Sequence, residues 1–123
     1  MNLMKLISAV KNKFGFAEEE FVISAVNSLE HRIRQDMLIP AGIEHRKMPL
    51  DASADIYTPL LLPEECFNLY FYHIACLMSA EECDSEQCDI YKKLFNQLYS
   101  EIATDFRKKY CPVILNRIGG KGV

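Results

Sequence analysis

At 123 residues, half of them apolar, a quarter charged and carrying a net charge of −3, the chain has the size of one domain and the composition of a folded globular protein, which excludes a disordered chain. No stretch approaches the roughly 18 unbroken apolar residues of a membrane span, and the apolar run at 3–10 is broken by Lys5 and lacks a small-residue cleavage site. A cytosolic product with no membrane association is therefore expected. Five cysteines, an odd number in a chain with no export signal, point to reduced thiols rather than a disulfide framework.

In chain order, residues 2–13 form the first predicted helix, with Leu3, Leu6, Ile7 and Val10 at helical spacing and Asn2 as cap. The second, over 17–38, opens on Glu18, Glu19 and Glu20 and carries Val22, Val26, Leu29, Ile33 and Met37 on one stripe. Four breakers, Pro40, Gly42, Pro49 and Pro59, then rule out a helix across 40–62. A long central loop with room for a short hairpin is expected there, and a segment of that length inside a small domain is usually functional or mobile.

Pro63, followed by Glu64 and Glu65, suits the first helical position of a third helix over 63–79. Its apolar residues, Phe67, Tyr70, Phe71, Ile74, Leu77 and Met78 thickened by Leu69, Tyr72 and Cys76, cover nearly every side, so it must be central or lie in an interface. His73 within it has no nucleophile or carboxylate partner in sequence, which favours a hydrogen-bonded structural role. The fourth helix, over 85–110, is capped by Asp84 or Ser85 with Gln87 at capping-box spacing, and carries Tyr91, Leu94, Phe95, Leu98, Ile102 and Phe106. Pro112 ends it, which makes Cys111 the stop. The expected fold is an all-α small antiparallel bundle of about four helices in one domain, 1–110, with Leu29, Ile33, Phe71, Ile74, Leu98 and Ile102 buried together, followed by an extended C-terminal tail, 111–123.

Enzyme templates find no match. Gly119-Gly120-Lys121-Gly122 has neither the preceding strand nor the following helix of a phosphate loop, and no Glu-x-x-His pair offers a carboxylate metal centre. The cysteine spacing contains no Cys-x-x-Cys, so neither a metal nor a cofactor is expected and the thiols are read as free and functionally silent. An acidic chain of pI about 5.6 also lacks the basic footprint of a nucleic-acid binder.

Thr58-Pro59-Leu60-Leu61-Leu62-Pro63-Glu64, followed by Leu69-Tyr70-Phe71-Tyr72, resembles the small head-tail connector (adaptor) proteins of long-tailed bacteriophages and prophages, in which an Asp-Thr-x-Leu-Leu-x-Pro-Glu run leads into a helix with Leu-Tyr-x-Tyr. Phe95-Asn96-Gln97-Leu98-Tyr99, then Ile102-Ala103 and Phe106, is similar to the family's Phe-Asn-x-x-Tyr-x-x-Phe-Ala segment, and Leu29-Glu30 and Ile33 fit the same layout. The resemblance covers most of 18–110. Cys66-Phe67 stands where the family more often has Tyr-Asp, residues 81–88 lack its Gly-Glu-Tyr-x-x-Tyr-Asn pattern, and the tail after Pro112 has no counterpart.

The resemblance implies a structural protein made in the bacterial cytoplasm and built into the virion at the head-tail junction. There it would assemble with itself as a ring, dodecameric in the family, and bind the portal protein and a downstream neck or tail-completion protein, with DNA passing through unread. The alternative is a small non-enzymatic regulatory or partner-binding protein, antitoxin-like or DNA-binding, which would form a discrete dimer.

Charge is polarised along the chain. Between Met48 and Tyr91 there are nine acids and no Lys or Arg, whereas from Lys92 onward seven bases face only Glu101 and Asp105. Helix dipoles account for part of this; an acidic face and a basic end that meet on neighbouring copies account for the rest. The expected interface lies in the loop, at Arg46, Lys47, Ile56 and Tyr57, and in the tail, at Val113, Ile114 and Leu115, an apolar triplet that solvent disfavours.

Overall fold

The side-chain oxygen of Asn2 accepts the Lys5 backbone N–H at 3.0 Å, satisfying one of the donors that a helix start leaves open, and α1 (Leu3–Lys13) follows. The computed structural model describes residues 2–43 and 60–110. In these, α2 (Glu19–Ile33) runs into a π-helical turn (Arg34–Leu38), and a 3-10 turn (Glu64–Cys66) leads into α3 (Phe67–Glu81), then α4 (Ser85–Tyr110). The described residues are all-helical, with no strand among them.

Helix boundaries depart from expectation in the second and third helices, the third ending at Glu81 rather than at residue 79. The second helix starts at Glu19, with Glu18 as N-cap, and its last turn widens: the Ile39 N–H donates to the Arg34 carbonyl, five residues back, at 2.9 Å. Pro40 supplies the reason, since it cannot donate to residue 36 and its ring would strike that carbonyl in an ordinary α-turn. Gly42, at φ +70, then closes the helix with Gly42 N–H to Ile39 and Ile43 N–H to Leu38, both at 3.0 Å. Pro63 is the N-cap of a 3-10 turn rather than the first α-helical residue, with the Cys66 N–H donating to its carbonyl at 2.9 Å.

Between α3 and α4 one tight turn does two jobs. The Asp84 N–H donates to the Ser79 carbonyl (2.9 Å) and the Cys83 N–H to that of Ala80 (3.0 Å), which closes α3. Asp84 Oδ1 then accepts the Gln87 N–H at 3.0 Å and opens α4. Cys83 adopts φ +59 to make this turn, a left-handed conformation that costs an L-residue about 1 kcal/mol.

α2, α3 and α4 alternate in direction. Between α3 and α4 the contacts Phe71–Tyr91, Cys76–Cys88 and Ser79–Gln87 move oppositely along the two chains, as do Tyr70–Glu30 and His73–Ala25 between α3 and α2. α3 is the central element, packed on α1, α2 and α4.

The α1 stripe of Leu3, Leu6, Ile7 and Val10 and the α2 stripe of Val22, Val26, Leu29, Ile33 and Met37 are buried as expected, so α1 belongs to the core alongside α2, α3 and α4. Leu29, Ile33 and Ile74 lie at its centre, but Phe71, Leu98 and Ile102 are only half-buried at its rim. On α4 the buried row is Phe95, Tyr99 and Ala103, while Leu94 is exposed. Residues four apart advance about 40° around a helix per step, so the adjacent row Ile90, Leu94, Leu98, Ile102, Phe106 starts in solvent and winds into the core edge.

Ile74 is fully buried, and Ile74→Asp is expected to cost more than about 4 kcal/mol and abolish the cooperative melt seen by circular dichroism. Cys83→Gly relieves the left-handed residue and is expected to raise stability by up to about 1 kcal/mol in urea titration; a destabilised variant would refute the strain.

Candidate functional site

All seven interface residues expected from sequence, Arg46, Lys47, Ile56 and Tyr57 in the loop and Val113, Ile114 and Leu115 in the tail, lie outside the described residues. One buried constellation, one at the edge of the core and one surface pattern are brought together instead.

The first closes the loop. Glu30, at 4 % exposure, is an acid on the apolar face of α2. Its Oε2 accepts the Tyr70 hydroxyl at 2.9 Å and the Leu61 backbone N–H at 2.7 Å, and the Tyr70 oxygen in turn accepts the Leu62 N–H at 3.2 Å. Leu60 and Leu62 point into the core on either side. The chain thus re-enters the fold at a fixed place, held by hydrogen bonds made in a low dielectric. Lys5 pairs with Glu64 and lies 5.8 Å over the Phe67 ring, which ties the same entry point to α1.

The second constellation lies where α2 meets α4. Arg32 stacks over Tyr99 at 4.2 Å and Phe95 at 5.5 Å, and pairs with Asp36 at 3.5 Å. Asp36 accepts the Tyr99 hydroxyl at 2.7 Å. Burial, then the bond to Asp36, pushes the Tyr99 phenol well above its ordinary range, so it stays a donor. His73 packs on the Phe95 ring at 5.5 Å and bonds to the Ala25 backbone. Its Nε2 is buried without a hydrogen-bond partner. Burial lowers its pKa, the Ala25 bond opposes this, and the Arg32 charge adds to the lowering. The neutral imidazole is therefore favoured, in keeping with a structural histidine.

Beside these rings Arg32, His73, Cys76, Cys88, Lys92 and Asn96 line a groove of about 300 Å³ between α3 and α4. The thiols of Cys76 and Cys88 meet there at 3.4 Å. The spacing of the cysteines hides this juxtaposition, which the helical hairpin creates. Cys66, Cys76, Cys83 and Cys88 are free thiols.

The surface is polarised along α4. Exposed acids Glu81, Glu82, Asp84, Glu86 and Asp89 surround its N-terminal end, and exposed Arg107, Lys108 and Lys109 its C-terminal end. A helix of 26 residues separates the two ends by about 39 Å. Exposed Ile90 and Leu94 lie between them on the outer face, with Leu77 exposed on α3.

Three of these features had a signal in the sequence. Glu30 interrupts an apolar stripe between Val26 and Ile33, Tyr99 follows Phe95 by one turn, and Arg32 is one turn from Asp36. The thiol pair had none, because contact across a hairpin depends on where the turn falls.

Comparison with protein-family models, with curated proteins and with solved structures returned no match to this chain.

Removing the Glu30 carboxylate strands the Leu61 N–H and the Tyr70 hydroxyl. Glu30→Ala is expected to cost about 2–4 kcal/mol and to erase hydrogen-exchange protection at the Leu61 amide, with Tyr70→Phe losing about half as much. Because His73 is more basic unfolded than folded, the unfolded chain takes up the extra proton. Stability should therefore be full above about pH 6.5 and fall as pH drops below it, a slope that His73→Phe would remove from a melting-temperature series.

Proposed function

We propose that this chain is a non-enzymatic assembly protein of the head-tail connector kind, in which one copy binds the next head to tail to build a ring. The observation that carries the reading is the polarity of α4: an exposed acidic end, an exposed basic end about 39 Å away, and the apolar Ile90 and Leu94 between them. A patch that complements a different patch on an identical copy supports a heterologous contact, which closes into a ring where the rotation between copies allows it; an antiparallel two-fold pair would also set acid against base, and the resemblance to connector proteins is what favours the ring over it.

The motif residues behind the resemblance to connector proteins support the same reading by the use the fold makes of them. Leu60, Leu62, Tyr70 and Glu30, with the Leu61 backbone N–H, meet at one junction, so the motif is a device for anchoring the chain ahead of α3. In this proposal the ring binds a portal protein on one side and a neck or tail-completion protein on the other, at the head-tail junction of a virion, and DNA passes through it without base readout.

The test is a pair of charge reversals read by sedimentation and electron microscopy at low ionic strength, where exposed charges are least screened. One variant converts Arg107, Lys108 and Lys109 to Glu; the other converts Glu81, Glu82, Glu86 and Asp89 to Lys. Each alone is expected to remain monomeric while the wild type forms rings, alone or with a phage portal protein, and an equimolar mixture should assemble again. Wild-type behaviour in both variants, or a closed pair of copies as the assembled species, would overturn the ring and favour the regulatory dimer.

A further inference from the structure

We propose that Cys76 and Cys88 form a reversible dithiol-disulfide site, oxidised by small hydroperoxides, that staples α3 to α4. Their Sγ atoms are 3.4 Å apart, both side chains are half-buried, and both line the groove shared with Arg32, His73 and Lys92. An S–S bond is about 2.05 Å long, so closure needs an approach of about 1.4 Å between two side chains already in contact. Helices joined by a three-residue turn can supply that by side-chain rotation.

The two sulfurs have different roles. Cys76 Sγ donates to the Cys88 carbonyl at 3.5 Å, and burial together with the Cys88 thiol pushes its pKa up to about 11. The Cys76 S–H is thus engaged as a donor to the Cys88 backbone, which leaves the Cys88 sulfur to attack first. As a thiolate, Cys88 attacks the terminal oxygen of the hydroperoxide; the O–O bond breaks, water or an alcohol leaves, and Cys88 becomes a sulfenic acid. Cys76 sulfur then attacks the Cys88 sulfur, the S–O bond breaks, and the departing hydroxide leaves as water with the Cys76 proton. Two thiols lose two electrons and one hydroperoxide gains them. Lys92, one turn along α4 from Cys88 and on the same groove wall, places positive charge where both oxygen leaving groups form. A dithiol reductant reverses the bond by exchange.

The staple spans the turn that strains Cys83, and by closing the 76–88 loop it constrains the unfolded chain. The test uses the reduced full-length protein treated with one equivalent of hydrogen peroxide, alkylated under denaturing conditions, and cleaved after glutamate, since no Lys or Arg lies between 48 and 91. Mass spectrometry should find Cys76 and Cys88 joined and the pair lighter by two hydrogens. The melting temperature should rise by about 10 °C and return with dithiothreitol. Cys76→Ala and Cys88→Ala should each lose the cross-link and the shift; a Cys83→Ser, Cys111→Ser double variant should keep both. Recovery of Cys76 and Cys88 both alkylated, a sulfinic acid at Cys88 with no cross-link, or a disulfide to Cys83 or Cys111 instead would overturn the site. Because the bond is mapped in the wild-type chain, a variant that fails to fold leaves the answer readable.

Discussion

A carboxylate with almost no solvent access sits where α2, α3 and the returning chain meet. Glu30 would be among the most unfavourable residues to bury if it stood alone. It is tolerated because the Tyr70 hydroxyl and the Leu61 N–H are already aimed at Oε2, both from segments whose positions are set by apolar burial. The dependence runs both ways: Leu60 and Leu62 enter the core at that point, and a backbone N–H carried in with them needs an acceptor there. One side chain thereby fixes the position of the chain at Leu61, ahead of α3.

Around that junction the architecture follows from α3 having no polar face. A helix that is apolar on most sides has to be covered on most sides, and here α1, α2 and α4 cover it. Small side chains at Ala75 and Ser79, almost wholly buried, let α4 approach closely enough for the Cys76 and Cys88 thiols to touch. The aromatic cluster of Phe71, Tyr72, Tyr91, Phe95 and Tyr99 fills the wider part of the same interface. Arg32 then closes it from the α2 side, its guanidinium spread over two rings and its charge answered by Asp36.

Polarity at the surface is a consequence of the same hairpin. Acids near the start of α4 and bases near its end are what the helix dipole favours locally. The added feature is that α3 brings Glu81 and Glu82 to the acidic end, because the turn between the helices is so short. What is a modest preference within one helix becomes, among the described residues, a hairpin with a cluster of acids at its turn and three bases at the far end of α4.

Helix number, stripes and caps were legible in the sequence, because Leu3 to Val10 and Val22 to Met37 repeat at the period of an α-helix, and Asn2 and Asp84 have oxygens at the distance a helix start demands. Periodicity is a local property and needs no partner. The sequence could not choose between the two apolar rows of α4, since Leu98 and Tyr99 are both plausible core residues one position apart, and only the angle at which α4 meets α3 and the π-turn buries Tyr99 and leaves Leu94 in water. The same holds for the Glu30 junction, which joins residues 31 and 40 positions apart, and for the thiol pair across the hairpin. Sequence by itself determined which segments are helices and which of their faces seek burial. Tertiary structure decided which polar groups meet inside, because that depends on distances between helices that no single helix encodes.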